Sequence, residues 1–328
     1  SDDAESNPVF TVSDGLLRLS QSVDRNSMVR KLQIAKMRGQ ATVPGLHSFR
    51  ISGQGIRVFP PAQVGCVSPR LLPAGGRARL GVDGLDDMLG GGLPRGYSLL
   101  MAGPSGSGKS IAAAAFLAEG ARLGERGLIA SFEQRPEERR SPQVAALIES
   151  GNVVLVETAA PDLSIDEILA LLMEQIALTG ATRLVIDSLS GFELRIAPTY
   201  RADFRESMLR MVTALSATGV TMLMTSELED RYTDLRFSPY GTAFLTDAII
   251  VQRYIEVESR LRRVLAVVKV RAHAHSNELR EYTIDADGLH VGETLTGYEG
   301  QLGGQPTRRD TPCDTAVPAH TSGQLEQR

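Results

Sequence analysis

The sequence predicts an α/β fold: a mostly parallel central sheet covered by helices on both faces, with a β-hairpin subdomain at its C-terminal end. Three observations predict it. Apolar strand-like runs alternate with helix-like segments between residues 98 and 227, the pattern of parallel strands joined by helical crossovers. One of these runs passes straight into a glycine-rich turn and then an Ala-rich segment. The chain also carries one strand pattern twice, 233 residues apart.

The repeat comes first in chain order. "LQIAKMRGQAT" (Leu32 to Thr42) aligns with "LAVVKVRAHAH" (Leu265 to His275). Asp14 falls on Asp247, Arg30 on Arg263, Lys36 on Lys269, Arg38 on Arg271 and Gly55 on Gly288, with no gap over about 45 positions. Constant spacing over that length is the mark of a duplicated unit. Each copy reads as two apolar strands joined by a polar turn ("SVDRNS", "IEVESR"), then a short third strand closing on a glycine. The second copy follows a glycine loop ending at Lys109, and the equivalent loop of the first would fall before Ser1. The expectation is that residues 1–60 are the closing part of a first domain, cut from something longer. Residues 61–79 are Pro/Gly-rich and read as a linker. Residues 80–300 read as a complete domain. Residues 301–328 drift to Gly, Thr, Gln and Pro and are expected to be a disordered tail.

The second domain holds the chemistry. "SLLMAGPSGSGKS" (Ser98 to Ser110) is an apolar strand running into G-x-x-x-x-G-K-S, with "IAAAAFLAEGARLG" behind it. That is the strand, loop and helix a phosphate loop requires. Gly103, Gly106 and Gly108 let the backbone curl so that the loop N–H groups and the helix start can face phosphate oxygens; Pro104 lacks a donor, and Ser105 and Ser107 complete the loop. Lys109 is placed to reach the β- and γ-phosphates of ATP, and Ser110 to ligate Mg2+. "TRLVIDSL" (Thr182 to Leu189) is a buried strand ending in Asp187, where a Mg2+-holding acid sits in such folds. "GLIASFEQRPEE" (Gly127 to Glu138) ends in Phe132 with Glu133 just beyond, at the carboxyl end of a strand where active residues collect. Glu133 is placed to orient or deprotonate the attacking water, near the metal. "GVTMLMTSE" (Gly219 to Glu227) ends in Thr225 and Ser226, either sensors of the γ-phosphate or a strand-end turn. Ser164 to Leu178 and Asp203 to Leu215 have helical periodicity.

Composition bounds the rest. In 328 residues, 42% are hydrophobic and 23% charged, close to average globular usage. A net charge of -4 gives no global basic field for nucleic acid. No apolar run approaches the roughly 18 residues of a membrane span, and no signal-peptide pattern opens the chain, so a cytoplasmic location is expected. Cys66 and Cys313 lack metal-ligand spacing.

Taken together, "GLDDMLGGGLPRGYSLLMAGPSGSGKS", "SFEQ", "LVIDSL" and "VVKVRAHAHSNELREYTI" resemble the RecA-like ATPases and, among them, the KaiC family of clock ATPases. With the "KMRG" copy the resemblance covers most of residues 14 to 300. It implies a RecA-like core, homohexameric rings with ATP held between subunits, and clock-type signalling partners. It further implies that Lys269 and Arg271, with Val270 between them, reach the γ-phosphate held by a neighbour's loop, and that Arg263 and His275 on the same hairpin belong to the nucleotide site. From the residues alone, Lys269 and Arg271 would equally suit a solvated edge strand. Three departures stand out. The family's second glutamate is Gln134; Ala243-Phe244 replaces its phosphorylated Ser-Thr pair before Thr246-Asp247; and Thr42 replaces its His in the first copy. The leading expectation is therefore an Mg-dependent ring ATPase that couples nucleotide state to a conformational signal. A Ser/Thr autokinase would need a displaced phosphosite, at Ser238, Thr242 or Thr246. A RecA- or DnaB-like DNA motor is disfavoured, because Arg231 and Arg236 of its candidate loop are balanced by Glu227, Glu229, Asp230 and Asp234.

Overall fold

The computed structural model describes residues 12–24, 27–61, 76–132, 141–157, 163–196, 204–228, 245–296, 298–299 and 307–308. Strands β1 (Gly15–Asp24), β2 (Ser27–Met37), β3 (Leu46–Ser52) and β4 (Gly55–Phe59) form an antiparallel sheet in chain order. Residues 62–75 of the expected linker lie outside the described residues. Its last part does not: β5 (Arg77–Ala78) pairs with β6 (Leu93–Pro94), bracketing α1 (Asp83–Met88). Arg77 locks that bracket by donating to the carbonyls of Leu89 and Gly92.

The main sheet follows. Its remaining elements, in chain order, are β7 (Ser98–Gly103), α2 (Lys109–Arg122), β8 (Gly127–Ser131), α3 (Pro142–Glu149), β9 (Val153–Glu157), α4 (Ile165–Thr179), β10 (Arg183–Asp187), α5 (Leu189–Arg195), α6 (Phe204–Ala217), β11 (Thr221–Glu227), β12 (Ala248–Val257), β13 (Arg260–Val270), β14 (Leu279–Ile284) and β15 (Leu289–Thr294). The nine strands lie in the order β15-β14-β13-β12-β7-β11-β10-β8-β9. From β12 to β9 every pairing is parallel; from β12 to β15 every pairing is antiparallel. The C-terminal hairpin therefore continues the main sheet through β12 and β7.

The reason is in the side chains. All six residues of β7 are buried, as are the first four of β10 and the first six of β11. Strands covered on both faces need such unbroken apolar runs. Helix α4 starts at Ser164, whose hydroxyl accepts from the Glu167 N–H at 3.1 Å, and ends at Gly180 in the left-handed conformation. The Ala-rich face of α2 (Ala112, Ala113, Ala114) lets that helix lie close on the sheet. Its C-terminal half is pinned by Arg183, which is 1% exposed. Arg183 donates to Glu125 at 2.5 Å and to the carbonyls of Arg79 and Phe116 at 2.7 and 2.8 Å. Burial works against the Glu125 charge, but Arg183 and Arg95 hold its carboxyl below the usual range.

The duplicated unit is visible in the backbone. Strands β1 and β2 begin and end 233 residues before β12 and β13. Both pairs shift register at the same place, between Leu16 and Leu17 and between Ile249 and Ile250, so Leu16 faces Lys36 as Ile249 faces Lys269. Four elements differ from the sequence reading. Each copy has a fourth strand, β4 or β15, where the third was expected to close on its glycine. Strand β9 and helix α3 had no clear sequence signal.

Candidate nucleotide site

Strand β7 ends at Gly103 and α2 begins at Lys109, with the predicted loop between them. Gly108 holds φ near 92° and caps α2, a backbone state that favours glycine. A Cβ there would also lie 2.5 Å from Ile284 Cδ1. The Lys109 ammonium folds back over the loop and donates to the carbonyls of Gly103 (2.8 Å) and Pro104 (2.7 Å). Ser110 is exposed in the first helical turn.

Asp187 ends β10, two strands from the loop across β11. Its Oδ1 accepts from the Thr225 hydroxyl at 2.5 Å. Thr225 and Ser226 are fully buried, and the Thr225 hydroxyl is turned to the carboxylate. Phe132 sits edge-on to Phe192 at 4.6 Å, and its N–H donates to the Asp187 carbonyl at 3.3 Å. These contacts hold the residue after β8 beside the end of β10. Glu133 itself, Gln134, Ser238, Thr242, Arg231 and Arg236 lie outside the described residues. Thr246 is buried, and its carbonyl accepts from Lys269.

A second polar cluster gathers at the other end of β7. Lys269 Nζ donates to the Thr246 carbonyl at 2.7 Å. Burial, helped by Arg271 and opposed by Asp247, pulls the Lys269 pKa below the usual lysine range. Arg271 pairs with Asp247 at 3.4 Å and keeps a side chain 58% exposed. Asp247 in turn accepts from the N–H and hydroxyl of Ser98, the first residue of β7. Val270 is buried between them, and its carbonyl accepts from the His273 N–H at 3.4 Å. His275 lies beyond, next to Ser276, whose N–H donates to Met88; its Nδ1 is buried without a hydrogen bond. The first copy repeats the arrangement: Arg38 pairs with Asp14 at 3.3 Å.

These residues do not converge within one chain. The Ser98 end of β7 carries Lys269 and Arg271, and the Gly103 end carries the loop, roughly 17 Å away at the rise of a parallel strand. Arg263 goes with the loop end. Its guanidinium lies 5.6 Å from the Tyr254 ring centroid, and the Tyr254 hydroxyl reaches the Ser105 carbonyl at 3.4 Å.

Sequence reasoning missed the groups that hold the loop from behind: Gln252, Tyr254 and Tyr282. A signal existed. Gln252 interrupts the apolar run "AIIVQRYIEV", and Leu19 takes its place in the first copy.

Comparison with known proteins points to one family. A family model described as "ATPase: KaiC" matches residues 1–63 and 78–296. The circadian clock oscillator protein KaiC of Picosynechococcus sp. is 26% identical over 305 residues, covering 90% of this chain and 58% of that protein. The circadian clock oscillator protein KaiC 1 of Synechocystis sp. is 27% identical over 305 residues, covering 90% of this chain and 57% of that protein. The chain thus spans a little over half the length of these relatives. No helix among the described residues is long and apolar enough to cross a membrane. A buried strand opening into a glycine loop, an acid at the end of a nearby parallel strand and a family match over most of the sequence lead to one assignment: the chain belongs to the KaiC family of ATPases.

Proposed function

We propose that the chain binds and hydrolyses Mg-ATP at sites shared between copies of itself, arranged head to tail in a ring. The supporting observation is the separation just described. The loop with Lys109 and the pair Lys269–Arg271 occupy opposite ends of one sheet. A site that uses both needs two chains, and an interface joining unlike surfaces closes into a ring when the rotation allows it. The six-membered ring of the family is part of this reading.

Each residue then has a task. The loop amides and Lys109 hold the β- and γ-phosphates. Ser110 and Asp187 supply oxygen donors suited to a hard cation, which keeps its remaining positions for phosphate and water. Such a site needs no cluster of three metal-ligating side chains, and among the described residues there is none. The cation would neutralise charge on the phosphate oxygens. Glu133 orients the attacking water, and Lys269 and Arg271 of the adjacent chain steady charge on the transferred phosphoryl group.

Residues 1–60 read as the closing sheet of a first domain of the same kind, supported by the matched strand ends and the matched bulge. The two-domain arrangement and clock-type signalling belong to this proposal. Lys109→Ala tests the nucleotide reading. Binding of a fluorescent ATP analogue should fall by at least about 100-fold, since a charged phosphate contact and the loop geometry are lost together. Unchanged affinity would overturn it.

A further inference from the structure

The phosphate loop is fastened to the C-terminal hairpin of its own chain. Ser107, inside the loop, is fully buried, and its hydroxyl donates to Gln252 Oε1 at 3.0 Å. The Ser107 carbonyl accepts from the Tyr282 hydroxyl at 2.6 Å. The Ser105 carbonyl accepts from Tyr254 at 3.4 Å. Gln252 and Tyr282 are themselves buried, where a polar group costs stability unless it is paired. Among the described residues no such loop touches the first copy, and its equivalent residues, Leu19 and Phe49, lack these polar groups.

The peptide plane makes these bonds directional. In a trans peptide the carbonyl and the next residue's N–H point opposite ways. Drawing the Ser107 carbonyl toward Tyr282 turns the Gly108 N–H away from the hairpin. Drawing the Ser105 carbonyl toward Tyr254 does the same for the Gly106 N–H. Two amides of the loop are thus aimed by side chains outside it. Burial pushes the Tyr282 hydroxyl pKa up, which keeps it protonated as a donor.

We propose that Gln252 and Tyr282 are positioning residues for the nucleotide site, holding the loop amides in their phosphate-binding direction through Ser107. The inference rests on the reading of this loop as an ATP site. A loop already ordered need not be ordered by its ligand, so the gain is in affinity. The groups do not touch the reacting atoms, so the effect on turnover is small.

The test compares binding of a fluorescent ATP analogue and steady-state hydrolysis across variants. Tyr282→Phe should raise Kd and KM roughly five- to tenfold, the loss of one well-placed hydrogen bond, with kcat within about twofold. Ser107→Ala and Gln252→Leu should each weaken binding. Their double variant should be no weaker than the worse single one, because both delete one bond. Stabilisation by saturating analogue should shrink in step with affinity. Variants that melt earlier without nucleotide yet bind with wild-type Kd would overturn the inference and leave the ATP reading standing. If Gln252→Leu does not fold, Tyr282→Phe alone decides. Wild-type protein showing no Lys109-dependent binding would overturn both.

Discussion

The two hairpins share strand ends, register and bulge, and yet one face is covered in one copy and open in the other. Ile250 and Leu289 are 0% and 6% exposed, packed in one cluster with Leu99 and Met101 of β7 and Ala112 and Phe116 of α2. Their counterparts Leu17 and Ile56 are 51% and 56% exposed. Leu19, Val23, Ile51 and Val58 widen the same open face. The first sheet instead turns its opposite face to the domain. Arg50 and Arg57, paired across β3 and β4, reach Glu167 and Glu174 of α4 at 2.9 Å each. Both copies preserve their backbone pattern and their Asp–Arg pair. They differ where β7, the loop and α2 meet the second copy. Local sequence therefore sets the hairpin, while burial depends on what is packed against it.

Two stability measurements can break this comparison. Ile250→Ala should cost about 2–5 kcal/mol, as core truncations do. Leu17→Ala, the same position of the first copy, should cost roughly 0.5 kcal/mol or less. Urea midpoints of the two variants give the contrast directly; equal losses would mean that the first face is covered. Arg50→Ala sharpens the other half of the comparison. A half-buried ion pair with two contacts to Glu167 should contribute about 1 kcal/mol, falling with added salt. No change at low salt would mean that the Arg50–Glu167 pair does not help to hold the first sheet on α4.

Much of this was legible in the sequence because it is local. The loop, Asp187, helix α4 at Ile165–Thr179 and the 233-residue repeat all appear where the residues point. The short strand "GIRVF" was missed because it is only five residues long and begins at the glycine on which the third strand was expected to close. Tyr282 and Gln252 were missed as loop partners because their bonds to Ser107 span 175 and 145 positions. Such pairings are set by the fold, and only the unlike residues of the two copies hint at them. The opposite-end placement of Lys269 and Lys109 follows from parallel pairing of β12 with β7, a register no single strand encodes.

The shared site is the central claim, and mixing two crippled chains tests it most directly. Lys269→Ala chains keep their own loop and Glu133; Glu133→Gln chains keep Lys269. In mixed assemblies, some sites join the loop of the first to the Lys269 of the second and are complete. The account predicts that each variant alone loses most ATP hydrolysis and that mixing restores a fraction set by the ratio of the two chains. Hydrolysis no higher than the sum of the separate variants at every ratio, in assemblies shown to contain both chains, would contradict it.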